Sequence, residues 1–309
     1  MSHNTETNNN SNTMSKKKIL VIGSSNTDMT IKADRLPVPG ETILGGEFVM
    51  GRGGKGANQA VAASRLGGDV TFVCKVGRDL FGKESVESYK KESIDTEHIL
   101  YSERPSGVAL IMVAEDGENC ISVASSANDD FSVEDIESLR ELICASDYLI
   151  LQLEIPVASV ARAAQIAHEA GVYVILNPAP AVKLPEDVFH NIDLITPNQT
   201  ELALLTGVKD DNHAAALKIM EMGVRSIVMT MGSKGCAVVE KGGYTHIDAC
   251  KVKAVDATAA GDTFCGALCV ALAEGHDLVE AARFATKASA LTVQRRGAQE
   301  SIPYRREIE

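Results

Sequence analysis

The sequence predicts an α/β fold: a central, mostly parallel sheet flanked by helices on both faces, with a small β-sheet lid at one edge. Three observations carry this prediction. Short continuous apolar runs, the mark of strands buried on both faces, alternate with helix-period stretches along most of the chain. Polar residues cluster directly after those runs, as they do where strand ends line a cleft. Two strand-like segments, residues 28–50 and 104–125, break the alternation and read as the lid.

The elements follow in order. Residues 1–15 (MSHNTETNNNSNTMS) are polar and Asn-rich and read as a disordered tail. KKKILVIGS, ending at Gly23, is a buried first strand. DMTIKADRLPVPGETILGGEFVM alternates and is broken by Pro37, Pro39 and Gly40, so it reads as exposed strands joined by a turn. GANQAVAASRLG is a helix, DVTFVCKVG a core strand, and a helix follows over residues 82–92. SGVALIMVAEDGEN and CISVASSA are strands around the turn signal Asp116-Gly117. DYLILQLE is a strand, and the helix behind it sets Val157, Val160, Ala164 and Ala167 on one face. VYVILNPAP and DLITPNQTE are strands running into polar loops. A helix, the strand SIVMTMGSKG, a hairpin and two long helices from Gly261 onward complete the chain. With no long linker and no internal repeat, residues 16–309 read as a single domain.

Composition narrows the function classes. A formal net charge of −12 argues against a nucleic-acid or membrane surface. No apolar run is long enough to span a bilayer, and the N-terminus has no apolar stretch of the signal-peptide kind. Seven cysteines, an odd number without a C-x-x-C pair, read as reduced thiols in a cytoplasmic protein. Cys265 and Cys269, four apart on one helix, read as packing residues.

The chemistry starts at DATAAGDTFCGAL, residues 256–268, where small residues precede one carboxylate at the mouth of a helix. Ala259, Ala260 and Gly261 clear space for a large group, and their N–H groups at a helix N-terminus suit an anion. Asp262 would then take the proton of an attacking hydroxyl, which is the layout phosphoryl transfer needs. GRGGKGAN, residues 51–58, matches G-x-G-x-x-G but does not follow the first strand, and Lys55 is followed by Gly, against the P-loop pattern. It is either a plain turn into a helix or a close backbone seat for a small ligand, with Lys55 and Asn58 as donors. Asn26 and Asp28 are turn formers or, with Glu154, the acceptors and donors of a polyhydroxy ligand. In TPNQTE, Asn198 and Glu201 make a capping box or organise a hydrated Mg²⁺ through water. TMGSKG, residues 230–235, is a hairpin turn or a Gly-rich edge against phosphates.

GGKGANQAVAASRLG and DATAAGDTFCGAL resemble the two signatures of the ribokinase-like carbohydrate kinase family. GSSNTD, LPVPGET, SGVAL, LQLE, LNPAP, TPNQTE and RRGAQESIP follow in the family's order, so the resemblance spans nearly the whole chain. It implies transfer of the ATP γ-phosphate to the 5-hydroxyl of D-ribose, in ribose catabolism, and a homodimer formed through the lid. It implies a sugar seat of Asn26, Thr27, Asp28, Gly54, Lys55, Gly56, Ala57, Asn58 and Glu154, with Asp262 as base. The nucleotide would lie against Asn198, Thr230, Met231, Gly232, Ser233, Lys234, Gly235, Gly261 and Thr286, with Glu201 in the Mg²⁺ motif. An activating K⁺ would be held by Asp256, by carbonyls at Thr258, Thr292, Arg295 and Gly297, and by Ser301. The chain departs from the family's pattern at Ala257, where Thr is usual, and at Ser126, where Gly is usual. The rival readings are a kinase for deoxyribose, another small sugar or a nucleoside, and a sugar-binding sensor that kept the fold without catalysis.

Overall fold

Strand β1 (Lys18–Ile22) shows how the sequence builds the layers. Ile19 and Val21 face one side of the sheet, Leu20 and Ile22 the other, and all four are buried. The structure is a computed structural model describing residues 16–309; the tail expected over residues 1–15 lies outside the described residues.

From β1 the chain passes through β2 (Asn26–Ala33), β3 (Glu47–Gly53), α1 (Lys55–Arg65), β4 (Asp69–Val73), β5 (Lys75–Gly77) and α2 (Leu80–Lys91). Next come β6 (Leu100–Ser102), β7 (Gly107–Ala114), β8 (Asn119–Ala124), α3 (Val133–Ser138), α4 (Arg140–Cys144) and β9 (Tyr148–Leu151). Helix α5 (Val157–Glu169), β10 (Tyr173–Leu176), α6 (Glu186–Phe189), β11 (Leu194–Ile195), α7 (Gln199–Thr206) and α8 (Asn212–Glu221) follow. The chain closes with β12 (Ser226–Thr230), β13 (Cys236–Glu240), β14 (Gly243–Ile247), α9 (Ala260–Ala273) and α10 (Leu278–Thr292).

The main sheet has the order β14-β13-β12-β11-β10-β9-β1-β4. Its pairs are parallel from β4 to β12, and β13 and β14 add an antiparallel edge. One face is covered by α1, α9 and α10, and the other by α3, α5, α7 and α8. Cys265 and Cys269 are fully buried in the first of these cores, as packing residues should be.

A second sheet, β3-β2-β7-β8, contains the two segments that break the alternation. Its period of two separates functions. Asn26 and Asp28 share one face, while Met29 and Ile31 share the other with their partners Met50, Phe48 and Leu110. The turn between β7 and β8 falls at the Asp-Gly signal, with Gly117 at φ 90° and Asp116 outside the positive-φ region, so the loop is the three-residue kind closed by a left-handed glycine and not the two-residue Asp-Gly turn.

Helices α1 and α9 approach each other closely at Gly266. A Cβ there would sit 2.8 Å from both the Ala62 methyl and the Gln59 carbonyl oxygen. Asp262 lies one turn earlier on α9, so this contact sets Asn58 and Gln59 of α1 against it. Gly266→Ala should therefore destabilise the protein by about 1–3 kcal/mol, because backbone on α1 has to move. Urea unfolding checks this; an unchanged midpoint would mean that the two helices part at no cost.

Candidate active site

The N-terminus of α1 is a tight junction between two sheets. Gly54 has φ 88°, and a Cβ on it would lie 2.8 Å from the Asn26 nitrogen. A Cβ on Gly53 would overlap the Asp28 carboxylate, so this glycine makes room for that acid. Glu154, in the loop three residues after β9, accepts hydrogen bonds from the Lys55 N–H at 2.9 Å and the Ser24 hydroxyl at 2.6 Å. A carboxylate thus satisfies the first turn of α1, where the helix dipole favours negative charge. Asn26 is buried and held in place by Asn128, whose amide donates to Asn26 Oδ1 at 2.8 Å. Two residues before Asn128, Ser126 adopts φ 49°, a left-handed conformation that explains the glycine expected there.

Asp262 is 5% exposed and sits in the first turn of α9. Asn58 Nδ2 donates to its Oδ2 at 2.9 Å, and Gln59 Nε2 donates to its Oδ1 at 2.9 Å. The remaining amide atom of Asn58, Oδ1, is buried without a partner among the described residues. A buried orphan acceptor is costly unless something donates to it, and a sugar hydroxyl is such a donor.

A cavity of about 200 Å³ opens beside Asp262, lined by Lys55, Asn177, Asn198, Glu201, Thr230, Ala257, Ala259, Ala260 and Gly261 among others. Two wider clefts, of about 650 and 350 Å³, surround Tyr173 and Arg225 and contain none of the candidate residues. The candidate residues gather around the smaller one. There, the charge of Asp262 raises Lys55 above its ordinary value, against a lowering by burial. Ala259 takes the left-handed conformation (φ 58°) and turns the chain into α9. Of the three N–H groups expected to face an anion, that of Ala260 is already donated to the Ala257 carbonyl at 3.2 Å. That of Gly261 has no backbone acceptor among the described residues, and neither has that of Asp262.

Asn198 and Glu201 form the capping box: Asn198 Oδ1 accepts from Glu201 N–H and Glu201 Oε2 from Asn198 N–H, both at 2.8 Å. The capping box and the cavity wall are the same residues. Glu201 Oε1 stays without a protein donor among the described residues, and burial raises its carboxyl against the lowering by the Asn198 N–H. A free carboxylate oxygen across a cavity from Asp262 and Lys55 fits a hydrated divalent cation. Thr230 bridges to Asn198 and joins this wall, whereas residues 231–235 lie outside the cavity lining. The Thr286 hydroxyl is engaged on α10, donating to the Ala282 carbonyl at 2.8 Å.

Asp256 ties two loops together. Its Oδ1 accepts from the Thr258 N–H and hydroxyl at 2.9 and 2.6 Å, and its Oδ2 from the Gly297 N–H at 3.0 Å. Burial alone would raise its carboxyl, but these bonds hold it below the ordinary range. The side chains of Thr292, Arg295 and Ser301 are turned to Thr263, Glu307 and the Ala298 carbonyl. What this region offers a cation is backbone oxygen and one carboxylate, a hard donor set that suits an alkali ion.

Sequence reasoning missed Gln59, Gln152 and Asn128. Each is a buried amide, and the available signal was a long polar side chain amid small or apolar neighbours, as in GANQAVAA and LILQLE.

A family model described as pfkB family carbohydrate kinase matches residues 16–305. A ribokinase of Haemophilus influenzae is 43% identical over 297 residues, covering 94% of this chain and 97% of that protein. A deoxyribokinase of Salmonella typhi is 35% identical over 293 residues, covering 92% of this chain and 95% of that one. The solved structure of an Arabidopsis thaliana ribokinase complexed with ribose and ATP superposes with a TM-score of 0.87 at 32% identity, over 96% of this chain and 98% of that one.

Asp28 supplies a pH test of the site. Burial first, then the charges of Glu154, Glu300 and Asp262, raise its carboxyl to about 7. The folded state therefore keeps a proton that the unfolded chain loses near its ordinary value of 3.8. The resulting cost to stability is complete above about pH 7 and fades as the pH falls towards about 4. Asp28→Asn should raise the melting temperature at about pH 8, with a gain on the order of 1 kcal/mol that shrinks by about pH 5. A gain independent of pH, or none, would show that Asp28 is not crowded by these carboxylates.

Proposed function

From the premise that the chain belongs to the pfkB family of carbohydrate kinases, we propose that it transfers the γ-phosphoryl group of ATP to the 5-hydroxyl of D-ribose. One observation carries the reading: a buried carboxylate, Asp262, stands between an orphan acceptor suited to a sugar and a helix N-terminus suited to phosphate. Asn26, Thr27, Asp28, Glu154, Asn58, Lys55 and the backbone of Gly54, Gly56 and Ala57 form the sugar seat. A pocket that hydrogen-bonds a hydroxyl strongly penalises its absence, which favours ribose over 2-deoxyribose.

Asp262 accepts the proton of the attacking hydroxyl as its oxygen bonds to the γ-phosphorus and the bond to the leaving ADP oxygen breaks. The N–H groups of Gly261 and Asp262 face the charge on the transferring group, and the small side chains of Ala259 and Ala260 leave it room. The nucleotide lies along Asn198, Thr230 and the 231–235 turn, with Thr286 on the adjacent helix. Glu201 would hold Mg²⁺ through water, and that ion supplies positive charge to the phosphate oxygens. Asp256 and the backbone oxygens at residues 258, 292, 295 and 297 would hold K⁺ beside the anion loop, stiffening it from outside the substrate. Ala257 removes a hydroxyl from this loop but none of its carboxylate or backbone ligands. Among the described residues no helix is long and apolar enough to cross a membrane, and the substrates are those of the cytoplasm.

The second sheet serves as a lid and as a dimer contact. Its face opposite Asp28 exposes Ile31, Phe48, Met50 and Leu110, with Phe48 60% and Leu110 56% accessible. A continuous apolar sheet face of this kind marks an interface, and a second copy of the same face is its simplest complement. Light scattering should report a dimer, and Phe48→Asp should convert it to folded monomer; a monomeric wild type would contradict this assignment.

An ADP-release assay across pentoses, hexoses and nucleosides, in K⁺ and in a large organic cation, tests the catalytic reading. D-ribose should give the highest kcat/KM, K⁺ should raise kcat several-fold, and Asp262→Asn should lower kcat by at least ~100-fold with nucleotide affinity little changed. Near-normal turnover in Asp262→Asn would remove this residue from the mechanism.

A further inference from the structure

Four buried groups behind Asp262 form a chain of hydrogen bonds whose direction is dictated at one end. Asn177 Nδ2 donates to the Thr196 carbonyl at 3.0 Å, at the end of β11. A carbonyl can only accept, so the amide of Asn177 must present its oxygen on the other side. That oxygen accepts from Gln59 Nε2 at 3.0 Å. The same Nε2 group donates its second hydrogen to Asp262 Oδ1 at 2.9 Å. The opposite end of the Gln59 amide, Oε1, accepts from Gln152 Nε2 at 2.8 Å. Reversing the Gln59 amide would set its oxygen against both the Asn177 oxygen and the Asp262 carboxylate, so only one orientation is compatible with the surroundings. Gln59 and Gln152 are 0% and 1% exposed, and water does not compete for these bonds.

We infer that Gln59 is a positioning residue for the phosphoryl-transfer step, holding Asp262 Oδ1 so that the carboxylate keeps one rotamer, in which Oδ2, bonded once by Asn58, keeps a second lone pair for the substrate hydroxyl. Asn58 alone cannot do this, since its single bond to Oδ2 lets the carboxylate rotate about that contact. A second fixed donor on the other oxygen removes the rotation. Both donors are neutral amides, so they orient the acid without adding a competing cation. The effect falls on kcat rather than on sugar affinity, because Gln59 is fully buried, is absent from the cavity lining and has no place in the sugar seat. The inference rests on the kinase reading and deepens it.

The test compares Gln59→Met with Gln152→Met in the full chain. Gln152 makes no hydrogen bond to Asp262 or to a side chain of the sugar seat among the described residues, yet its loss breaks an equivalent buried amide contact, so it reports what structural damage alone does. Gln59→Met should lower kcat by about 10- to 100-fold, the range expected for a misaligned catalytic group, while the KM for the sugar stays within about threefold. Gln152→Met should lower the melting temperature comparably and keep kcat within about threefold of wild type. If Gln59→Met does not fold, Gln59→Glu takes its place; it keeps the shape, sets an acceptor against Oδ1, and should lose at least as much kcat. Equal kcat in wild type and the Gln59 variant, or equal kcat losses in the Gln59 and Gln152 variants, overturns the positioning role alone. A wild type with no sugar-dependent ADP release overturns the kinase reading, and this role with it.

Discussion

The site depends on the contact between helices α1 and α9. Neither helix carries the proposed site alone. α9 brings a carboxylate and free N–H groups at its N-terminus, and α1 brings the amides that hold that carboxylate. Gly266 lets the two backbones meet closely enough for side chains as short as Asn and Gln to bridge them. At the same end of α1, Glu154 and Ser24 hold the first turn, so the helix is anchored to the loops after β9 and after β1. The chain's two most distinctive stretches are thereby parts of one object. They lie some two hundred residues apart in sequence (|i−j| of 204 for Asn58 and Asp262) and within hydrogen-bond distance in space.

Negative charge crowds this object. Asp28, Glu154, Glu201, Glu300 and Asp262 act on one another, and Lys55 is the cation in their midst. Amide donors, rather than further cations, hold Asp262, while Glu154 is met by a backbone N–H and a hydroxyl. Such partners fix geometry without neutralising charge, so the carboxylates of the cleft outnumber Lys55. Crowding of this kind is expensive in a protein without ligand, and burial makes it more so. The raised carboxyl of Asp28 is where that tension is expressed.

Much of this was legible in the sequence, and what was missed has a physical reason. The alternation of ILVI in β1 shows directly as two buried faces, and the Asp-Gly and Pro-Gly signals marked the second sheet. Asp262, Lys55, Asn58 and Glu201 could be singled out because unusual local chemistry surrounds each of them in the chain. Gln59, Gln152 and Asn128 could not, because their role is set by partners more than ninety residues away (|i−j| of 203 for Gln59–Asp262, 93 for Gln152–Gln59 and 102 for Asn128–Asn26). A long polar side chain amid small or apolar neighbours marks a buried amide, but only the fold reveals which groups its two ends meet. The occupied N–H of Ala260 was likewise invisible, since it follows from the left-handed turn at Ala259.

The central claim is that the hydroxyl to be phosphorylated meets Asp262 in the space between Asn58 and the start of α9. A crystal structure of the protein with D-ribose and a non-hydrolysable ATP analogue measures this directly. The account predicts the 5-hydroxyl at about 3 Å from Asp262 Oδ2, in line with the γ-phosphorus, and another sugar hydroxyl donating to Asn58 Oδ1. A sugar whose phosphorylated hydroxyl faces Asp28 or Glu154 instead, with Asp262 out of reach, would contradict it.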